Sequence, residues 1–158
     1  IVGIAGTTEL GQVDPIEEMA GLARDNGVPF HVDAAFGGFV LPFLPEKLGV
    51  FDFRAEGVTT LGVDTHKMGL STTPAGVLLF RDTSILEKIG VQSPYLTTGV
   101  NMSLSGTRHS ASVAAAYAVM RSLGFNGYKT VVERCMDNTH YLVAELKKLG
   151  LQPAIEPV

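Results

Sequence analysis

The chain has 158 residues, enough for one average domain, and 46% of them are hydrophobic, which allows a sizeable core. A formal net charge of −4 leaves no electrostatic footprint for a nucleic-acid partner, and the single cysteine excludes an internal disulfide framework and a multi-cysteine metal site. The single cysteine favours a reducing cytoplasm, and no apolar run reaches the length of a membrane-spanning helix, so we expect a cytoplasmic protein without a membrane partner.

Two further features indicate a piece of something larger. Charged residues make up only 18% of the chain, and its mean hydropathy is +0.24. Much of the chain is therefore expected to lie inside a longer protein or an oligomer. The chain also begins within a strand-like run, Ile1–Ala5, with no initiator methionine, and we expect a fragment.

The first half of the chain is predicted to alternate strands with a helix or longer crossovers. The apolar run Ile1–Ala5 predicts a strand, and Asp14 before a proline predicts a helix with Asp14 as N-cap that ends near Asn26. Three more strands are predicted, over Phe30–Asp33, Thr59–Val63 and Ala75–Arg81. This order predicts an α/β fold with a mostly parallel sheet, whose ligands bind outside the carboxyl ends of the strands.

The second half is predicted to be helical. Ser110–Leu123 is apolar nearly all round, which predicts a buried helix, and Gly124–Gly127 should break it. Helical spacing of apolar residues predicts a second helix over Tyr128–Leu149, with Cys135 on the core-facing side. Leu151–Ile155 is predicted to begin another strand.

Chemistry is indicated where predicted strands end, at Thr7, Asp33 and Lys67. Lys67 lies in V-D-T-H-K-M-G, just past a buried strand, where a lysine can lose hydration and attack a carbonyl to form a Schiff base. Asp33 ends the strand in F-H-V-D-A-A-F, where it either caps a turn or faces a cationic partner. A protonated pyridine nitrogen is such a partner, and the lysine–aspartate pair is the one expected around pyridoxal phosphate.

The motifs H-V-D-A-A-F-G-G and D-T-H-K-M-G together resemble those of the group II pyridoxal-phosphate-dependent amino acid decarboxylases, and most of all their archaeal L-tyrosine/L-aspartate decarboxylase subgroup. G-T-T-x-x-G-x-x-D-P-I, S-L-S-G-T-R and E-R-C-M-D-N-T-x-Y-L are similar to that subgroup too. The resemblance implies a fold-type-I large domain, of which residues 1–123 are the latter part, and the start of a small α/β domain over residues 124–158. It also implies α-decarboxylation of an L-amino acid, tyrosine to tyramine or aspartate to β-alanine, with pyridoxal 5′-phosphate as cofactor.

The resemblance also assigns roles to single residues. It implies that Lys67 forms the Schiff base with the cofactor, that Asp33 pairs with the pyridine nitrogen and that the small side chain of Ala35 packs flat against the ring. It implies that His66 helps to hold the phosphate and that Thr7 lies near the aromatic edge of the cofactor. The alternatives are a structural histidine whose ring nitrogens find local partners, and a loop hydroxyl that caps its own backbone.

Two more residues match the family less closely. Tyr95, in S-P-Y-L-T-T-G, resembles a tyrosine on a loop that reaches a neighbouring active site and serves proton transfer to the α-carbon, although the spacing of Pro94–Leu96 is one residue tighter. A surface aromatic is the alternative. A lid is predicted from the flanking residues Ser93, Thr97, Thr98 and Gly99. Arg108 resembles an interface arginine that meets phosphate or substrate carboxylate, with an ordinary salt bridge as the alternative. Asp64 receives no phosphate role, because a carboxylate repels phosphate.

Other functions remain open at this point. D-T-H-K also occurs in carbon–carbon lyases of the sphingosine-phosphate-lyase type, although those prefer an aromatic residue where Met68 stands. A third possibility is a non-catalytic fragment that contributes to a dimer. The resemblance implies a homodimer with its active site at the subunit interface, and an incomplete site here, since the family's phosphate-cradling loop and ring-stacking histidine lie upstream of the matched residues. No metal site is expected, because the histidines are too scattered: His31, His109 and His140.

Overall fold

A computed structural model of the chain describes residues 1–44, 48–95, 97 and 99–157. Its main sheet has four strands, which lie side by side in sequence order. They are β1 (Val2–Ile4), β2 (His31–Asp33), β3 (Thr60–Asp64) and β4 (Gly76–Phe80). The first three are mutually parallel, whereas β4 is antiparallel to β3. The predicted α/β fold with a mostly parallel sheet is confirmed.

The direction of β4 follows from the length of the connection before it. A parallel return needs a crossover of about a dozen residues or more, usually through a helix. Residues 65–75 form only turns, so the chain can return beside β3 only in the antiparallel sense. These same turns carry the lysine of the D-T-H-K motif, which places it at the carboxyl ends of the parallel strands.

Helix α1 (Ile16–Asp25) links β1 to β2, and its predicted N-cap is wrong. The residue at the cap position is Pro15, and no side chain caps the helix. The Asp14 carboxylate instead accepts a hydrogen bond from the backbone N–H of Ile4 at 2.7 Å, and the Asp14 N–H donates to the Ile4 carbonyl at 2.9 Å. Asp14 therefore ties the entry of α1 to the outer strand of the sheet.

The hydrophobic core lies between the sheet and α1. Its largest fully buried side chains are Phe30, Val32 and Val58, each of which stabilises the fold by about 1.5–3 kcal/mol through burial. Helix α1 contributes the buried face Ile16, Ala20 and Ala23. This core fixes the orientation of β1, β2 and β3, and so it positions the residues at their carboxyl ends.

Gly57 packs directly against the backbone of α1. A Cβ atom at Gly57 would overlap the carbonyl oxygen of Ala20, which is backbone and cannot swing aside. We expect Gly57→Ala to lower the free energy of unfolding by about 2–3 kcal/mol. The matched control is Gly21→Ala in the same helix, which meets nothing within 4 Å and should raise that free energy by about 0.5–1 kcal/mol. Urea unfolding of the two variants checks both signs, and a Gly57→Ala curve that overlays the wild type contradicts this packing.

Beyond the sheet, the chain forms helix α2 (Ser84–Ile89), a short antiparallel pair of β5 (Val91–Gln92) and β6 (Val100–Asn101), and helix α3 (Ser110–Lys148). The predicted break in α3 is confirmed at Gly124, whose φ of 58° and ψ of −174° lie outside the helical region. Residues 125–127 are helical, so the break is narrower than predicted. Residues 151–155 contain no strand, contrary to the prediction.

Two burial predictions for α3 are wrong. The segment 110–123 was predicted to be buried, but Val113 and Tyr117 are each 67% exposed. Cys135 was predicted to face the core, but it is exposed. Within the part of the chain described here, the buried residues of α3 are Ser112, Tyr128 and Val132, and the Tyr128 hydroxyl donates a hydrogen bond to the Gly69 carbonyl. The apolar composition of a helix predicts that the helix packs against an apolar surface, but it does not identify the segment that provides this surface.

None of the helices described is both long and apolar enough to cross a membrane.

Candidate active site

A cavity of about 210 Å³ opens at the carboxyl ends of the three parallel strands. Four residues predicted from the sequence line it together, namely Thr7, Asp33, Ala35 and Lys67. The remaining described lining residues are Ile4, Gly6, Thr8, Glu9 and Phe36. The three parallel strands bring these residues together because each carries one of them at or just past its last residue, which is where ligands bind in sheets of this kind.

Asp33 is the last residue of β2, and its two carboxylate oxygens have different surroundings. Oδ1 accepts a hydrogen bond from the Ala35 N–H at 3.0 Å, as the turn-cap alternative predicts. Oδ2 has no hydrogen-bond partner among the described residues. Asp33 can therefore hold its own turn with one oxygen and offer the other to a cationic group in the cavity.

Lys67 carries a positive charge into the same cavity. Its Nζ lies 2.9 Å from Oδ2 of Asp64 and 4.4 Å from the centroid of the Phe36 ring. The Lys67 side chain is 30% exposed, so the ammonium is held by a carboxylate and an aromatic face with limited access to water. Sequence reasoning missed both partners, although the three-residue spacing from Asp64 to Lys67 was the available signal.

Asp64, at the end of β3, owes its orientation to the strand beside it. Asp64 pairs with Gly76 across the antiparallel ladder, and a Cβ at Gly76 would come within 2.7 Å of Oδ1 of Asp64. The missing side chain at Gly76 thus leaves room for the carboxylate that holds Lys67. No phosphate role was assigned to Asp64, and its observed place as the partner of Lys67 agrees with that.

His66 lies outside the lining of this cavity. Its Nδ1 is 2.9 Å from the Ala75 carbonyl oxygen and 3.2 Å from the Ala75 nitrogen, and only one of these contacts can be a hydrogen bond in a given tautomer. Its Nε2 is 3.9 Å from Asp64. The local partners agree with the structural alternative, and the phosphate role of His66 stays a prediction.

Thr7 lines the cavity and also makes a hydrogen bond within its own loop, so its position agrees with both predicted roles. Its hydroxyl oxygen accepts a hydrogen bond from the Gln12 N–H at 3.0 Å, which closes the loop after β1, and the residue also lines the cavity. The loop hydroxyl alternative therefore describes its present bond. Its proton remains available to a ligand.

Tyr95 and Arg108 do not reach the cavity in this chain. The Tyr95 side chain is 91% exposed, and its predicted neighbours Leu96 and Thr98 lie outside the described residues. The Arg108 guanidinium donates to the Ser105 carbonyl at 2.6 Å, before the start of α3. Their proposed roles at a neighbouring site or subunit interface stay predictions.

The cavity fits the pyridoxal part of pyridoxal phosphate. It combines an amine for the aldehyde at Lys67, a free carboxylate oxygen for the ring nitrogen at Asp33 and a small side chain at Ala35. Lys67 is the one cation among the described residues that line it, so these residues supply no second positive charge for the phosphate.

Comparisons with known proteins agree with this chemistry. The model of the pyridoxal-dependent decarboxylase conserved domain matches residues 1–152. The probable L-tyrosine/L-aspartate decarboxylase of Methanothrix thermoacetophila is 56% identical over 158 residues, which are 100% of this chain and 41% of that protein. The chain thus spans about two fifths of the length of the curated relatives it matches.

Solved structures resemble the chain over most of its length. The glutamate decarboxylase of Lactobacillus brevis matches with a TM-score of 0.81 at 30% identity, over 94% of this chain and 35% of that one. The sphingosine-1-phosphate lyase of Burkholderia pseudomallei matches with a TM-score of 0.76 at 34% identity, over 84% of this chain and 31% of that one.

Proposed function

Because the chain belongs to the pyridoxal-dependent decarboxylase family, we propose that the full-length protein removes the α-carboxyl group of an L-amino acid, with pyridoxal 5′-phosphate held at Lys67. The observation that carries the proposal is the shared cavity of Lys67, Asp33 and Ala35. An amine, a carboxylate oxygen without a partner among the described residues and a small side chain at one strand-end cavity are the groups that this cofactor needs from its site.

Each residue has a separate task in this proposal. Lys67 would supply the amine that holds the cofactor, because it is the lysine among the described residues that line the cavity. Asp33 would favour a proton on the ring nitrogen through its Oδ2, while its Oδ1 keeps the turn to Ala35 in place. The bound cofactor supplies an electron-accepting ring, whose capacity depends on that proton.

Asp64 and Phe36 hold the Lys67 ammonium at the wall of the cavity. When the lysine is free, its ammonium rests 2.9 Å from the Asp64 carboxylate and over the Phe36 ring. This resting place lies on the wall of the cavity, so the released lysine stays within reach of the reacting centre. Proximity of this kind lowers the entropic cost of each return of the amine.

The substrate is proposed from the relatives. Tyrosine and aspartate are the two amino acids named for the relative that is 56% identical to this chain. The carbon–carbon lyase alternative is supported less, since the family model describes a decarboxylase, although a sphingosine-1-phosphate lyase is among the similar structures. Carbon dioxide release from L-tyrosine, L-aspartate and L-glutamate by the full-length protein decides between them. No release from any of the three contradicts the proposed reaction.

The surroundings of the site are also part of the proposal. Residues 1–123 would belong to the large cofactor-binding domain and residues 124–158 would begin the small domain, with the kink at Gly124 as the junction. The active protein would be a cytoplasmic homodimer in which Tyr95 and Arg108 act at the subunit interface. Cross-linking of the full-length protein in solution tests the dimer, and a monomer would remove the basis for those two roles.

Gly69 offers a test of how precisely the turn of residues 64–71, which carries Lys67 and is called the lysine turn below, must be positioned. A Cβ at Gly69 would come within 2.6 Å of the Thr65 carbonyl oxygen and 3.0 Å of the Phe39 ring, so the turn that carries Lys67 would have to shift. We expect Gly69→Ala to lower the rate at which Lys67 captures pyridoxal phosphate by about 100-fold, since misplacement of a reacting group by about 1 Å costs that much. Capture is measured by borohydride reduction and mass of the Lys67 peptide. The control is Gly21→Ala, which should capture at the wild-type rate.

A further inference from the structure

Tyr128, in α3, makes a buried contact with the turn that carries the lysine. Tyr128 is 5% exposed, and its hydroxyl donates a hydrogen bond to the Gly69 carbonyl at 2.8 Å. Gly69 follows Lys67 by two positions. Burial raises the pKa of the Tyr128 phenol, so the hydroxyl keeps the proton that it donates.

The ring of Tyr128 contacts a second segment of the chain, the one that follows Asp33. It packs against Phe39, with centroids 5.2 Å apart, and against Phe43, with centroids 6.1 Å apart and planes at 18°. These two phenylalanines lie in the short 3₁₀ turns Gly37–Phe39 and Leu41–Phe43, which come next in the chain after Asp33 and Ala35. One side chain therefore touches the segment after the acid with its ring and the segment after the lysine with its hydroxyl.

There is no room for a side chain at Gly69, between the lysine turn and the Phe39 ring. A Cβ at Gly69 would meet the Thr65 backbone on one side and the Phe39 ring on the other. The lysine turn is therefore packed directly against the aromatic cluster formed by Phe39, Phe43 and Tyr128. A shift of Tyr128 cannot leave the Gly69 carbonyl in place with its hydrogen bond intact.

We propose that Tyr128 is a positioning residue that sets Lys67 relative to Asp33, by joining the lysine turn to the aromatic turns that follow the acid. The inference rests on the proposed function, and it assigns to α3 a task at the site that its position outside the cavity does not suggest. Tyr128 acts through the Gly69 carbonyl and touches neither cofactor nor substrate.

The contact lies just past the kink in α3. Gly124 interrupts the helix four residues before Tyr128, and Phe125 packs on Phe43 with centroids 5.0 Å apart. The helical segment after the kink is thus anchored on the same aromatic cluster that holds the lysine turn. A displacement of this segment would move the Gly69 carbonyl and with it the amine two residues away.

The first test is hydrogen exchange in the full-length protein without cofactor. Tyr128→Phe keeps the ring and removes only the hydroxyl, so the turn loses one buried hydrogen bond. We expect the protected amides of this turn to exchange about tenfold faster, since a bond of this kind contributes that much. They are the N–H groups of His66, Lys67, Leu70 and Ser71, which donate to the carbonyl oxygens of Ala75, Asp64, Lys67 and Thr65, respectively. Unchanged exchange in residues 64–71 overturns the inference, whether or not Lys67 captures the cofactor.

A matched control separates positioning from general stability. Val132 lies one helical turn after Tyr128, is 3% exposed and lines none of the cavities around the lysine turn. Val132→Ala should destabilise the protein at least as much as Tyr128→Phe. We expect Val132→Ala to leave exchange in residues 64–71 at the wild-type rate. If both variants accelerate exchange there equally, Tyr128 has only a structural role and the inference is wrong.

The second test is capture of pyridoxal phosphate by Lys67, trapped with borohydride at fixed times. We expect Tyr128→Phe to slow capture about tenfold, and Val132→Ala and the exposed Tyr117→Phe to capture at the wild-type rate. Equal capture by Tyr128→Phe and wild type overturns the inference alone. No capture by the wild type contradicts the proposed function instead, and the exchange experiment then still decides the role of Tyr128.

Discussion

Lys67→Ala in the full-length protein should abolish amino acid decarboxylation, to below about one thousandth of the wild-type rate. Alanine has no amine to carry the cofactor, and no other cation among the described residues lines the cavity. The fold should persist, because Lys67 lines a cavity and is not part of the hydrophobic core. Carbon dioxide release from L-tyrosine and L-aspartate measures the effect.

The matched control is Lys129→Ala, which removes the same charge from an exposed position on α3 where the lysine pairs with Glu133. It should decarboxylate at the wild-type rate. A Lys67→Ala protein that keeps a tenth or more of the wild-type rate, with pyridoxal phosphate present, would show that the amine is not part of the reaction.

Asp33→Asn should lower turnover by about 10²–10⁴-fold while leaving the fold and the capture of cofactor by Lys67 close to wild type. The amide oxygen can still accept the hydrogen bond from the Ala35 N–H, so the turn after β2 is retained. The negative charge is lost, and with it the group that keeps a proton on the ring nitrogen. Because capture persists and turnover falls, this variant separates binding from chemistry.

The measurement pairs borohydride trapping at Lys67 with carbon dioxide release on the same samples. Asp25→Asn, at the exposed end of α1, changes the net charge equally and should leave both readouts unchanged. Turnover by Asp33→Asn within a factor of three of wild type would be incompatible with a role for Asp33 at the ring nitrogen.

The strands and the large breaks could be predicted from the sequence because their signals are local. Apolar β-branched runs place β1, β2 and β3 to within one or two residues, and Gly124 marks the kink in α3. The cap of α1 was mispredicted because Asp14 finds a tertiary partner, the Ile4 N–H, that no local pattern specifies. Cys135 fits an apolar helical stripe, yet its side chain is exposed, because helical spacing alone does not specify which residues of the stripe find a partner.

The candidate site also contains some residues that the sequence predicted and some contacts that only the fold shows. Lys67, Asp33 and Thr7 could be predicted because each stands at or just past a strand end, where a parallel sheet brings side chains together, whereas Ala35 came from the resemblance of its motif to the family's. The partnership of Asp64 with Lys67 depends on the turn geometry of residues 64–67 and on the room left by Gly76. The contact of Tyr128 with Gly69 spans 59 positions in the chain, and only the packing of the fold can reveal it.

The claim that Lys67 holds the cofactor is tested most directly by finding where the cofactor is attached. The full-length protein is incubated with pyridoxal phosphate, reduced with borohydride, digested and analysed by mass spectrometry. The account predicts one added pyridoxyl-phosphate group, located on Lys67 in the peptide that contains V-D-T-H-K-M-G. A label on a different lysine, or none in a folded protein saturated with cofactor, would contradict it.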